Sequence, residues 1–221
     1  MTSRHMKVKP EIKQQYGFYV DTSKCTGCKT CQVSCKDRSD LPVGVNFRRV
    51  YEYGGGVWRK DAETGVVSQD VFAYYTSISC NHCTKPACVE ACITYAMHKR
   101  AEDGLVVVDT SQCIGCEACA QACPYDAPQM DHAKGHMTKC DGCFDRVAKG
   151  LKPTCVESCP MRALDYGLME ELQAKYPEAT RPDIAPLPSS DYTQPNLLIA
   201  KNRLHQPTGS KRGDVLNYAE V

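Results

Sequence analysis

The residues best suited to chemistry are sixteen cysteines, and they fall into four groups of four. Cys25, Cys28, Cys31 and Cys35 follow C-x2-C-x2-C-x3-C. Cys80, Cys83, Cys88 and Cys92 follow C-x2-C-x4-C-x3-C. Cys113, Cys116, Cys119 and Cys123 repeat the first pattern and precede Pro124. Cys140, Cys143, Cys155 and Cys159 have a longer central gap and precede Pro160. A cubane iron–sulfur cluster needs a thiolate at each of four corners, and a C-x2-C-x2-C loop wraps three corners with one short segment. The fourth cysteine leaves on the following helix and, in two-cluster ferredoxins, ligates the other cluster. By that rule each group gives three cysteines to one cluster and one to another. Spacing leaves open which groups pair.

Two other uses of cysteine fit less well. Zinc sites usually draw on pairs of C-x2-4-C, and a third cysteine two residues further on is awkward for a tetrahedron. A disulfide framework belongs to shorter chains with a secretory leader. Here Met1 to Gln15 is polar and lacks the apolar stretch of such a leader. Arg48-Arg49 lies inside the chain with no hydrophobic stretch after it, so it is not a twin-arginine leader.

Gly27 and Gly115 sit between the first two cysteines of their groups, where a positive φ lets backbone N–H groups approach cluster sulfurs. Lys24, Lys29, Lys36 and Lys139 flank cysteines, and positive charge there should raise a cluster's potential, unless the lysines are simply solvated. His82 stands between Cys80 and Cys83. With the cysteine count complete, it is read as a neighbour of the ligands or as solvent-facing. His98, His132 and His136 show no partner pattern. There is no Gly-x-Ser-x-Gly, Walker loop or dinucleotide fingerprint. Clusters without a catalytic centre point to an electron relay between partners.

The elements that position these loops show in two internal repeats. Phe18 to Cys25 resembles Val106 to Cys113, each a short β-prone run, then Asp-Thr-Ser, then the cysteine triplet. Each reads as a strand entering a cluster loop. Lys85 to Cys92 resembles Lys152 to Cys159, with Ala96 and Ala163 equally far beyond. The chain thus reads as duplicated ferredoxin-type units. Val45 to Ser79 reads as a β-hairpin insertion, a surface decoration or a docking element, with turn signals at Gly54-Gly55-Gly56 and Thr64-Gly65. Met169 to Tyr176 reads as a helix stopped by Pro177. Glu178 to Val221 carries Pro182, Pro186, Pro188 and Pro195 and reads as too Pro-rich for a core strand. It would run extended over its own surface or a partner's, or be disordered.

At 221 residues, 42% hydrophobic and 8% aromatic, apolar burial is thin, and metal–thiolate bonds would add folding free energy. A net charge of +1 gives no basic field for nucleic acid. No run of about 18 apolar residues is present to span a membrane.

The four motifs in this order resemble the iron–sulfur β subunits of the dimethyl sulfoxide reductase family of molybdopterin oxidoreductases. The resemblance rests on Cys25-Thr-Gly-Cys-Lys-Thr-Cys31, Phe47 to Tyr53, Val71 to Cys83, Ala96 to Arg100, Gly135 to Cys143 and Cys155 to Pro160. It covers nearly the whole chain, from about Tyr16 to near Gly209. Two departures, Lys36 and Ile93 where relatives often have Pro, lie outside ligand positions.

The resemblance implies an α+β fold of two ferredoxin-like units, 16–44 plus 130–170 and 80–129, with a hairpin insertion at 45–79 and an extended, partner-docking tail at 171–221. It implies four [4Fe–4S] clusters: A on Cys25, Cys28, Cys31 and Cys159; B on Cys35, Cys140, Cys143 and Cys155; C on Cys80, Cys83, Cys88 and Cys123; D on Cys92, Cys113, Cys116 and Cys119. Some relatives carry a bulky residue at the Cys116 position and a [3Fe–4S] cluster. The implied partners are a molybdenum bis-pyranopterin catalytic subunit that reduces dimethyl sulfoxide or related S- and N-oxides, and a quinol-oxidising membrane subunit. Similar subunits serve tetrathionate, polysulfide and nitrite-type reductases and formate dehydrogenases. Without a C-terminal hydrophobic anchor, attachment would be indirect, at the periplasmic face by co-export with a twin-arginine partner or, alternatively, at the cytoplasmic face.

Overall fold

A computed structural model describes residues 11–221. In chain order its elements are β1 (Tyr16–Asp21), α1 (Thr30–Arg38), β2 (Arg49–Gly55), β3 (Trp58–Lys60), β4 (Val67–Gln69), β5 (Phe72–Ile78), α2 (Ala87–Ala91), β6 (Met97–Lys99), β7 (Val106–Val108), α3 (Ala118–Ala122), β8 (Gln129–Asp131), β9 (His136–Thr138), α4 (Phe144–Val147), α5 (Thr154–Glu157), β10 (Leu164–Leu168), α6 (Met169–Lys175), β11 (Leu197–Ala200) and β12 (Gly213–Val215). The fold is α+β, with short helices between small sheets. No helix among the described residues is long and apolar enough to cross a membrane.

The sequence repeats are structural repeats. β1 pairs antiparallel with β10, and β7 pairs antiparallel with β6. In the first pair the Asp21 N–H donates to Ala163 O at 2.8 Å; in the second, the Asp109 N–H donates to Ala96 O at 2.8 Å. Ala163 and Ala96 are both 1% exposed, and each lines a cysteine-walled cavity. α1 packs on α5 and α3 on α2, so the first cysteine group lies against the fourth and the second against the third.

β1 is buried on both faces because its side chains alternate between two cores. Phe18 and Val20 enter the main core with Tyr166, Leu164 and Ile199. Tyr19 faces the other way, against Leu172, Leu198 and Ala200, and stacks on Tyr176 with ring centroids 3.6 Å apart. α6 supplies Leu172 and ends just before Tyr176 and Pro177, since proline cannot continue the helix.

The tail departs from the sequence expectation. Leu197–Ala200 is a core strand, fully buried and parallel to β1, in a sheet ordered β10-β1-β11. β12 adds a further edge to the hairpin, giving the order β12-β2-β5. Proline density misled because the prolines lie in the connecting stretches, while the apolar run Leu197-Leu198-Ile199 follows Pro195.

The 45–79 insertion is a hairpin, β2 pairing with β5 and β3 with β4 near its tip. Of the triple glycine, only Gly56 turns, at φ +98°; Gly54 and Gly55 lie inside β2. A Cβ on Gly55 would stand 2.2 Å from Arg212 O, so glycine there admits the tail strand instead of making a turn. The unit boundary expected at 129/130 also falls inside β8. Met130 and Met137, from β8 and β9, pack with Met97 and Val106 of the 80–129 unit, so residues 129–138 belong with it.

Candidate iron–sulfur cluster sites

Each C-x2-C-x2-C loop is set by the same local devices. Asp21 Oδ1 accepts from the Ser23 N–H (3.0 Å) and hydroxyl (2.5 Å), and Asp109 Oδ1 accepts from those of Ser111 (3.0 and 2.6 Å). These Asx turns end the strand and start the loop. Gly27 (φ +71°) and Gly115 (φ +67°) follow, then Lys29 and Glu117, both at φ 58°. A Cβ on Gly27 would meet the Tyr75 ring at 2.4 Å, and one on Gly115 would meet Gly135 O at 2.8 Å. Tyr95 and Arg162, each three residues past the last cysteine of its group, also have positive φ (62° and 52°). They turn the chain so that the Met97 and Ala163 N–H groups donate to Cys92 and Cys159 Sγ, both at 3.3 Å.

All sixteen cysteines are unbridged. Cys25, Cys28, Cys31 and Cys159 line one small cavity with Val50, Ser77 and Leu164. Cys92, Cys113, Cys116 and Cys119 line another with Met97, Val108 and Met137. Cys35 lies in the electrostatic neighbourhood of Cys155 and Cys143, and Cys140 in that of Cys35 and Cys155. Cys83 and Cys88 both neighbour Cys80 and Cys123. Each of the two cavities thus takes three cysteines from one group and one from another. Cys155 also neighbours Cys31, and Cys140 neighbours Cys80, so the A set adjoins the B set and the B set adjoins C. C and D share the packed pair α2 and α3. Cys28 and Cys116 are exposed, which brings the A and D sets to the surface.

Among the described residues no three His, Cys, Asp or Glu groups converge as a single-ion site. The thiols stand around a space instead of meeting at a point, which suits a polynuclear cluster better than a zinc ion. Burial pushes the Cys25 and Cys119 thiols up to about 11 and those of Cys35 and Cys83 up to about 12. Such thiols hold their protons at neutral pH, so iron must displace them on binding.

Buried cations give the second test of fit. Arg48 is 1% exposed and Lys139 5%, and Lys99 is largely enclosed. None has a carboxylate at ion-pair distance among the described residues. Lys99 Nζ donates to the carbonyls of His82 and Cys83 (both 2.9 Å) and Gly104 (2.6 Å). Lys139 Nζ donates to Cys140 O at 2.7 Å and to Val106 O. Unpaired buried cations are costly, and thiolate-bound clusters carry the negative charge that would offset them. The donor sets and the charge both fit [4Fe–4S] groups.

Of the four lysines that flank cysteines, only Lys139 is buried. Lys24 pairs with Asp21 at 2.9 Å, Lys29 pairs with Glu220, and Lys36 donates to Pro42 O and Val45 O, both at 2.7 Å. His82 is fully buried, not solvent-facing. Burial, with Lys139 and Lys99 nearby, pushes its pKa well below the usual range. Its neutral ring accepts the Val106 N–H on Nδ1 at 2.9 Å, tying the second cysteine group to β7. The sequence reading missed Arg48, Lys99 and the tail residues that hold this loop. Asn196 Nδ2 donates to His82 O (2.8 Å), and the Thr84 and Lys85 N–H groups donate to Gln194 O (2.8 Å) and Thr193 O (2.9 Å). A weak signal existed for Arg48 alone, a charge at the mouth of a strand-like run.

The fold and these sites define an iron–sulfur electron-transfer protein. The 4Fe-4S dicluster domain family matches residues 71–169. Over 94% of its length the protein is 58% identical to the B polypeptide of anaerobic dimethyl sulfoxide reductase from Escherichia coli (strain K12), covering 98% of that relative. It is 56% identical, over 94% of its length, to the whole of the corresponding B polypeptide from Haemophilus influenzae. The B polypeptide of tetrathionate reductase from Salmonella typhimurium is 40% identical over 66% of this protein and 55% of that relative. The protein belongs to the family of anaerobic dimethyl sulfoxide reductase B polypeptides. It is an iron–sulfur electron-transfer subunit.

Proposed function

We propose that this chain relays electrons from a quinol-oxidising membrane subunit to a molybdopterin catalytic subunit that reduces dimethyl sulfoxide or related S- and N-oxides. The observation that carries the reading is the succession of cysteine sets A, B, C and D, buried in the middle and reaching the surface at Cys28 and Cys116. Cys25, Cys28, Cys31 and Cys159 hold the first of four [4Fe–4S] clusters; Cys35, Cys140, Cys143 and Cys155 the second; Cys80, Cys83, Cys88 and Cys123 the third; Cys92, Cys113, Cys116 and Cys119 the fourth. Each cluster, when bound, supplies reversible one-electron transfer. The protein's own part is to fix the ligands on short helices, to keep water from the inner sets, and to offset charge through Arg48, Lys99 and Lys139. Two ferredoxin-like units, 16–44 with 139–170 and 80–138, do this. The complex stands at the periplasmic face of the inner membrane, held there by its partners.

The test uses the complex purified from membranes. A quinol analogue should reduce the clusters, and dimethyl sulfoxide should reoxidise them, followed by electron paramagnetic resonance. Clusters that stay reduced with dimethyl sulfoxide but reoxidise with tetrathionate would overturn the substrate assignment. A catalytic partner without molybdopterin would overturn the whole assembly.

A further inference from the structure

Arg48 lies one residue before β2, enclosed between the A and B cysteine sets. Its Nη1 donates to Ser77 Oγ at 3.2 Å and its Nη2 to Ser79 Oγ at 2.9 Å. Ser77 Oγ in turn lies 3.3 Å from Cys31 Sγ, a member of the A set. On the other side the guanidinium charge acts on Cys155 and Cys35, members of the B set. The Phe18 ring covers one face, its centroid 4.7 Å from the guanidinium carbon. Nε has no partner, and no carboxylate among the described residues reaches the group.

We propose that Arg48, with Ser77, is a shared electrostatic element of the A and B sites that raises the reduction potential of both clusters. This rests on the four-cluster reading above. Adding an electron makes a cluster more negative, and a fixed cation at short range in a poorly screened interior favours that state. Arg48 is better suited to this than a surface lysine because water cannot screen it and no acid cancels it. Ser77 carries the effect to the A side by holding its hydroxyl between the guanidinium and Cys31. The planar guanidinium also spans the two sets in a way that a point-charge ammonium does not.

The test is redox-poised electron paramagnetic resonance of the complete complex, with iron and sulfide counted in the same samples. In Arg48→Met two of the four midpoint potentials should fall. At fixed potential their oxidised-to-reduced ratios should rise at least tenfold, which is 59 mV for one electron. The other two midpoints should stay. Arg48→Lys should recover most of the shift, and Ser77→Ala should lower one midpoint only. Full iron with four unmoved midpoints would overturn the role of Arg48, as would Arg48→Lys falling as far as Arg48→Met. If Arg48→Met does not accumulate, Ser77→Ala and Arg48→Lys decide it, and unmoved midpoints in Ser77→Ala would contradict the shared element. Wild-type complex that holds zinc, or lacks sulfide, would overturn the cluster reading and this role with it.

Discussion

Cys116 is exposed and shares its cavity with Cys92, Cys113 and Cys119 alone among the cysteines, so losing it should change one site and spare the rest. Cys116→Ala should leave a [3Fe–4S] group at the D site, seen as a new paramagnetic signal in the oxidised state with iron lower by about one per chain. Full iron and no new signal would contradict the assignment of Cys116. Gly27 tests the loop backbone. Its φ of +71°, and the Tyr75 ring 2.4 Å from where a Cβ would stand, leave Gly27→Ala strained twice over. It should lose the A cluster selectively, with iron falling by about four per chain. At this scale the candidate cysteines stood out in the sequence, because cysteine spacing is local. Arg48 was not, since its meaning depends on Ser77 and Ser79 across the hairpin and on sulfurs from two distant groups.

Among the elements, those with local signatures were readable. The Asp-Thr-Ser repeats marked β1 and β7, and Pro177 marked the end of α6. β11 and β12 were not readable, because strands of four and three residues acquire their identity only by pairing with β1 and β2. The consequence is a prediction about the tail. Ile199 is 0% exposed, and Ile199→Ala should cost about 2–5 kcal/mol. It should lower the temperature at which cluster absorbance bleaches. Ending the chain at 178 should abolish cluster-bearing protein altogether, since Gln194 and Asn196 hold the loop after Cys80. A truncated chain with full iron would show that the tail serves docking alone. The hairpin tip behaves oppositely. β3 and β4 are exposed throughout, so replacing them with a tight turn should leave iron content unchanged.

The whole molecule carries a net charge of only +1, yet Arg48 and Lys139 are buried and Lys99 is largely enclosed. An apolar core that is thin by composition and holds unpaired cations depends on its clusters for stability. Removing iron with a chelator under oxidising conditions should therefore unfold the protein, with far-ultraviolet ellipticity falling in step with iron. The central claim is that sixteen cysteines form four cluster sites. Iron and acid-labile sulfide, measured per chain on the purified complex after subtracting the partner's share, test it most directly. About sixteen of each is the predicted result, four per cubane. Zinc in place of iron, or about eight of each, would contradict it.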